Sequence, residues 1–146
     1  MDKIKLGDIY PELVKDLIKS DEKTLLELVR NKKNSLLDNK IDSIVKNDKI
    51  FEFIEANQES KKFYIWSNAT SVRINQILYT YNYHSKFEGI ISRDDVADKK
   101  PSLEGLLKIQ ETFLINKVDM LIVDDNKQNI EVLNENGYTA VFPSFF

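Results

Sequence analysis

The sequence predicts an α/β fold: a parallel sheet with helices on both faces, preceded by a helical segment. Three observations carry this. From residue 63 onward, short apolar runs alternate with helical stretches in βαβαβαβ order, which calls for parallel strands joined by helical crossovers. Met120–Val123 is an uninterrupted apolar run of the kind a sheet buries on both faces. The first sixty residues, by contrast, show only the helical period.

In the first half, Leu13, Val14, Leu17 and Ile18 share one helical face, and Pro11 suits a first turn because its missing N–H is not needed there. Ser20 or Asp21 can cap a second helix with Leu25, Leu26 and Val29 on its apolar side. Leu36, Leu37, Ile41, Ile44 and Val45 predict a third helix. Asp48 is the expected cap of a fourth, running through Ile50, Phe51, Phe53 and Ile54.

In the second half, Phe63–Trp66 is the first strand candidate and leads into Ser67, Asn68, Ala69 and Thr70. A helix carrying Val72, Ile74, Ile77, Leu78 and Tyr81 follows, with His84 in a turn after it. Phe87–Ile91 is the next strand. Pro101 is expected to open a helix through Leu103, Leu106, Leu107 and Ile109. Met120–Val123 ends at Asp124-Asp125, and Ile130, Val132 and Leu133 mark a helix closed by Asn136-Gly137. Tyr138–Phe142 is the last strand. Trp66 and the tyrosines are expected in core packing. Phe142, Phe145 and Phe146 either pack on the core or form a contact patch.

Composition narrows the function. The chain has 146 residues and no cysteine, which excludes disulfides, thiol catalysis, zinc fingers and iron–sulfur clusters. A single histidine excludes a multi-histidine metal site within one chain. The net charge of −3 gives no electrostatic reason to expect nucleic acid as a partner. No apolar run approaches the ~20 residues that a membrane-spanning helix needs. The expected location is the cytoplasm.

Right-handed crossovers would bring the carboxyl ends of the strands to one edge, where such sheets bind ligands. Polar residues stand at those ends: Ser67-Asn68, Asp124-Asp125, and between them Lys99-Lys100-Pro101. A hydroxyl, a lysine and paired carboxylates suit a phosphate held with a divalent cation. Each piece also has a plainer role. Ser67 can cap a helix, Asp124-Asp125 can cap the helix that follows them, and Lys99-Lys100 can be a solvated face. Their order and common placement favour the joint reading.

These residues resemble the haloacid dehalogenase-like (HAD) superfamily, largely Mg²⁺-dependent phosphatases. YIWSNAT looks like its second motif and gives Ser67 and Asn68. KKPSLEGLLKI looks like the third and gives Lys100, with Lys99 as a substitute. MLIVDDNKQNIEVLNENGYTAVF looks like the fourth, and its Asp-Asp-x-x-x-Asn form is similar to the nucleotidase-like branch. The resemblance implies a three-layer α/β/α Rossmann-like sheet. It divides the chain into a degenerate first strand (1–10), a small helical cap (11–60) and the core (61–146).

The family's first motif, Asp-x-Asp-Gly-Thr, has no intact copy here. The nearest string is Asp8-Ile9-Tyr10-Pro11-Glu12 after Lys3–Gly7. By resemblance, Asp8 is the nucleophile, with Tyr10 in place of the acid/base, as in the dehalogenases themselves. Pro11 stands where a glycine supplies unusual backbone angles that proline's fixed φ resists. The other reading has Tyr10-Pro11-Glu12 simply beginning the first helix and Asp8 as a loop acid. The resemblance implies Mg²⁺ on Asp8, Asp124 and Asp125, phosphate on Ser67, Asn68 and Lys100, and catalysis by Asp8, Ser67 and Lys100. The substrate would be a small phosphomonoester such as a nucleotide or sugar phosphate.

Three alternatives stay open: a catalytically inactive protein of binding or scaffold role, a true first strand lying ahead of this sequence, and a 2-haloacid dehalogenase. The last disagrees with Asp124-Asp125, because dehalogenases need no Mg²⁺ and carry Ser and Asn there. Neither the substrate nor the oligomeric state is legible in the sequence.

Overall fold

A computed structural model describes residues 44–146 and, ahead of them, residues 24, 27–29, 31, 32, 35 and 36. Lys3–Gly7 and the Asp8–Glu12 string lie outside the described residues. The chain divides into two compact units, Met1–Ser43 and Ile44–Phe146. In the first, every described residue is helical, within the stretch where the sequence predicts the second and third helices.

The second unit contains α1 (Asp48–Asn57), β1 (Tyr64–Trp66), α2 (Ser71–Thr80), β2 (Gly89–Ile91), α3 (Glu104–Phe113), β3 (Leu121–Val123), α4 (Lys127–Glu135) and β4 (Thr139–Val141). This is the predicted alternation, with each strand trimmed to three residues. Among the described residues, no helix is long and apolar enough to cross a membrane.

The helix starts differ from expectation by a few residues, and each shift has a local cause. Asn47, not Asp48, caps α1: its side-chain oxygen accepts the Ile50 N–H at 3.3 Å. Asp48 instead stands in the first turn, where its charge faces the positive end of the helix dipole. Ile44 and Val45 are not helical, and Val45 is exposed. Thr70 caps α2 by accepting the Arg73 N–H at 3.3 Å, so that role does not fall to Ser67. Tyr81 follows α2 as its C-cap, and His84 lies in the turn beyond, stacked on the Tyr79 ring. Pro101 does not open α3, which begins three residues later at Glu104. Residues 99–102 form a turn closed by the Ser102 N–H on the Lys99 carbonyl (3.0 Å). Asn126 caps α4, accepting the N–H groups of Gln128 and Asn129, so Asp124-Asp125 do not cap it directly. Gly137, at φ 76°, ends α4 in the left-handed region that favours glycine, as the sequence predicts.

The ladders form two parallel pairs, β1 with β2 and β3 with β4. Side chains alternate between two faces. Ile65 and Ile90 pack with Ile74, Leu78 and Tyr83 of α2 and its following turn, and with Phe51 of α1. Trp66, Ile122 and Ala140 pack on the opposite face with Leu106 of α3 and with Ile130 and Leu133 of α4. Helices therefore cover both faces, as the three-layer arrangement requires.

Among the described residues the ladders are two separate two-stranded sheets; as parts of one Rossmann-like sheet, their order follows from the handedness of the crossovers. The β1–α2–β2 and β3–α4–β4 units carry their crossovers on opposite faces. With right-handed connections, the two pairs must run outward in opposite directions from a point between β1 and β3. That point is the switch at which open α/β sheets place their ligands. Of the terminal phenylalanines, Phe146 packs on Phe53 with ring centroids 4.7 Å apart, while Phe145 is mostly exposed.

Candidate functional site

The carboxyl ends of β1 and β3 flank the switch point, and each ladder runs one residue further into it. The Ser67 N–H donates to the Ile91 carbonyl at 2.9 Å, and the Asp124 N–H to the Val141 carbonyl at 3.1 Å. The first polar side chain after each strand is thereby held by sheet geometry rather than by a free loop.

Lys100 reaches Asp124. Its ammonium lies 2.8 Å from Asp124 Oδ2, and the two side chains are only 12% and 5% exposed. The same ammonium sits 4.5 Å from the centre of the Trp66 ring, over its face. The Lys100 backbone is gripped as well. Its N–H donates to Asn68 Oδ1 at 2.9 Å, and its carbonyl accepts from Asn68 Nδ2 at 3.4 Å. These contacts explain why α3 begins late: the segment before it is held as a loop that delivers Lys100 across the sheet edge.

Asp124 is the most fully bonded acid of the site. Its Oδ1 accepts the Asn126 N–H at 2.8 Å and Asn129 Nδ2 at 3.1 Å. Burial pushes its carboxyl up, but the hydrogen bonds from Lys100, the Asn126 N–H and Asn129, with the charge of Lys100, hold it below the ordinary value. It is therefore an anion at neutral pH.

Trp66 can lie where it does because α3 carries glycine at position 105. A Cβ there would come within 2.3 Å of the indole nitrogen and 3.2 Å of Ile91. Isolated glycine inside a helical pattern often has such a packing reason.

The structure thus joins Asn68, Lys100 and Asp124, three residues far apart in the sequence. Lys100, rather than Lys99, makes the contact; Lys99 is exposed. Ser67 adjoins Asn68 at the end of β1, and its hydroxyl oxygen accepts the Ala69 N–H at 3.1 Å. Asp125 is exposed and, among the described residues, makes no hydrogen bond or ion pair. Asp8 and Tyr10 lie outside the described residues. The sequence predicts core packing for Trp66, which packs against the α3/α4 core, and assigns no role to Gly105 or Asn129. Asn129 was visible as the last position of Asp-Asp-x-x-x-Asn, and Gly105 as a glycine inside a helix.

A Mg²⁺ ion prefers hard oxygen ligands and few protein carboxylates. Asp125 is exposed and uncommitted, while both oxygens of Asp124 are taken, Oδ2 by Lys100 and Oδ1 by the Asn126 N–H and Asn129. Among the described residues, no group of three acids or histidines gathers into a metal cluster.

Fold and site define a Rossmann-like α/β protein whose switch point carries a lysine–carboxylate pair. The model of the haloacid dehalogenase-like hydrolase family matches residues 5–142, and the chain belongs to that family. Solved structures of similar fold include a haloacid dehalogenase-like hydrolase from Bacteroides fragilis (TM-score 0.68, 21% identity, 83% of this chain and 58% of that one). Another is a HAD-superfamily hydrolase of subfamily IA, variant 1, from Geobacter sulfurreducens PCA (TM-score 0.64, 20% identity, 70% of this chain and 52% of that one). A third, a HAD-superfamily hydrolase from Ehrlichia chaffeensis, has a TM-score of 0.56 at 20% identity, over 97% of this chain and 70% of that one. At these identities the likeness is one of fold. The chain spans only 52% and 58% of the Geobacter and Bacteroides chains. No curated protein matches it in sequence.

Proposed function

We propose that this protein is a Mg²⁺-dependent hydrolase of small phosphomonoesters. The observation that carries the reading is the meeting of Lys100, Asp124 and the Ser67-Asn68 turn at the switch point of the sheet. A phosphate there would find a fixed ammonium and a hydroxyl whose proton is not committed to a described acceptor.

In this reading Asp8 attacks phosphorus in line. A P–O bond forms to its carboxylate, the ester P–O bond breaks, and the leaving alkoxide takes its proton from Tyr10 or from water. Water then hydrolyses the aspartyl-phosphate, returning the carboxylate and inorganic phosphate. Ser67 and Lys100 orient the transferring group and offset its charge. Asp8, Asp124 and Asp125 would hold Mg²⁺, which supplies Lewis-acid neutralisation of the phosphoryl oxygens. The match to the family model spans residues 5–142, a range that includes Asp8.

Tyr10 is a poor proton donor near neutrality, with a reference pKa of about 10. A lost general acid lowers rates by ~10²–10⁴. The expected enzyme is therefore slow on alkyl phosphates and faster on esters with good leaving groups. Tyr10 and Pro11 also favour a second reading, in which the pocket binds phosphate without turning it over.

Hydrolysis of p-nitrophenyl phosphate, with and without Mg²⁺, separates the two. Turnover that requires Mg²⁺ and disappears in Asp8→Asn supports the enzyme. Turnover unchanged by that substitution removes Asp8 as the nucleophile, and its absence from the wild type favours the binding protein.

A further inference from the structure

The family resemblance implies a phosphate-ligand role for Asn68, but both ends of its side-chain amide face the backbone of Lys100. The oxygen accepts the Lys100 N–H (2.9 Å) and the nitrogen donates to the Lys100 carbonyl (3.4 Å). This two-point contact imitates the exchange of bonds between paired strands, made by one side chain across 32 positions of sequence. The lysine it grips extends to Asp124 and lies over the Trp66 ring. Trp66, in turn, is seated against Gly105 and lies two residues before Asn68 on the same strand end.

We propose that Asn68 is a positioning residue: its amide fixes the backbone of Lys100 so that the ammonium rests between the Trp66 ring and Asp124. Three observations support this. The turn 99–102 has its own closing bond, from the Ser102 N–H to the Lys99 carbonyl. That bond shapes the turn but does not tie it to the sheet; Asn68 supplies a tie. Next, Asn68 sits immediately after Ser67, whose N–H is locked to the Ile91 carbonyl, so the clamp is anchored in the β1–β2 ladder. Finally, the ring that receives the ammonium comes from that same strand. One strand end therefore sets both the backbone and the head group of a residue that arrives from a different loop.

The chain contains one tryptophan, so its fluorescence reports directly on the ammonium over the ring, whether or not the protein is an enzyme. Four variants test the clamp: Asn68→Ala, Lys100→Met, the two combined, and Asn68→Asp. Lys100→Met removes the cation and is expected to change Trp66 emission. Asn68→Ala should move emission in the same direction, most of the way to that of Lys100→Met. The double variant should match Lys100→Met alone, because Asn68 acts through Lys100. Asn68→Asp keeps the 2.9 Å acceptor position and should stay nearer to wild type than Asn68→Ala.

Emission unchanged in Lys100→Met overturns the proposal, as does a wild-type spectrum in Asn68→Ala. An equal shift from Asn68→Ala with and without Lys100 also overturns it, since that is the mark of general loosening. A second arm rests on the phosphatase reading. Losing the clamp should weaken inorganic phosphate by roughly three- to tenfold, the range of one ordinary hydrogen bond, and only when Lys100 is present. Failure of the wild type to bind phosphate would count against that reading and leave the emission test to decide the clamp.

Discussion

Replacing Lys100 by methionine measures the weight of the ion pair at the centre of the site. Methionine keeps an unbranched apolar stem and removes the ammonium. Asp124 would then remain, 5% exposed, with two donors on Oδ1 and no cation. Removing one partner of a buried pair typically costs about 3–5 kcal/mol, because the other charge is left uncompensated. The two retained hydrogen bonds place this case at the lower end, about 3 kcal/mol. For a domain of this size that lowers the Tm by roughly 6–12 °C.

The pH dependence has a definite sign. In the wild type, burial raises the Asp124 carboxyl, but hydrogen bonds from Lys100, the Asn126 N–H and Asn129 hold it below its ordinary value. Such a group adds stability that is present above the unfolded value of about 3.9 and is lost as pH falls through the lower folded value. Without Lys100, burial meets less opposition and the carboxyl rises. The variant can then relieve its penalty by taking up a proton. The gap between Lys100→Met and wild type should be wide at about pH 7 and narrow at about pH 4. Thermal unfolding followed by circular dichroism at both pH values measures it. A Tm equal to wild type near neutrality, or a gap that widens on acidification, refutes the argument.

Gly105→Ala should favour helix formation by about 1 kcal/mol, but its Cβ collides with the Trp66 indole at 2.3 Å. Overpacking of this kind costs about 1–3 kcal/mol. The expected result is a lower Tm with altered Trp66 emission; a stabilised protein with unaltered emission contradicts it. Tyrosinate absorbance should show one of the six tyrosines titrating at about 12, because the hydrogen bond of Tyr83 to Glu55, then burial and the Glu55 charge, push it up. Its folded value exceeds the unfolded value of about 10, so it adds stability that is complete below pH ~10 and is lost as pH rises toward the folded value. Tyr83→Phe should remove both the high titration and that alkaline loss.

Much of the fold is legible because its signals are local. The strand candidates at 63–66, 87–91, 120–123 and 138–142 each contain an observed strand, and the periodic stretches between them contain the helices. The caps are legible only to within a few residues, since Asn47 and Asp48, or Asp125 and Asn126, are alike as candidates until backbone angles choose. The late start of α3 could not be read from Pro101, which is a good first-turn residue in isolation. Instead of entering a helix, the Lys100 backbone is bonded to the Asn68 amide, 32 positions away. The choice of Lys100 over Lys99 is non-local for the same reason. The division of the helices between two faces, which sets the switch point, follows from packing rather than from any single stretch. The Asp8–Glu12 string, the nearest copy of the first motif, falls outside the described residues.

Binding of inorganic phosphate, followed by titration calorimetry in the presence and absence of Mg²⁺, is the most direct probe of the switch-point cradle, and it needs no turnover. Heat in the wild type that depends on Mg²⁺, and that vanishes in both Lys100→Met and Asp125→Asn, is the outcome this account predicts. Phosphate binding that survives both substitutions undiminished would contradict it.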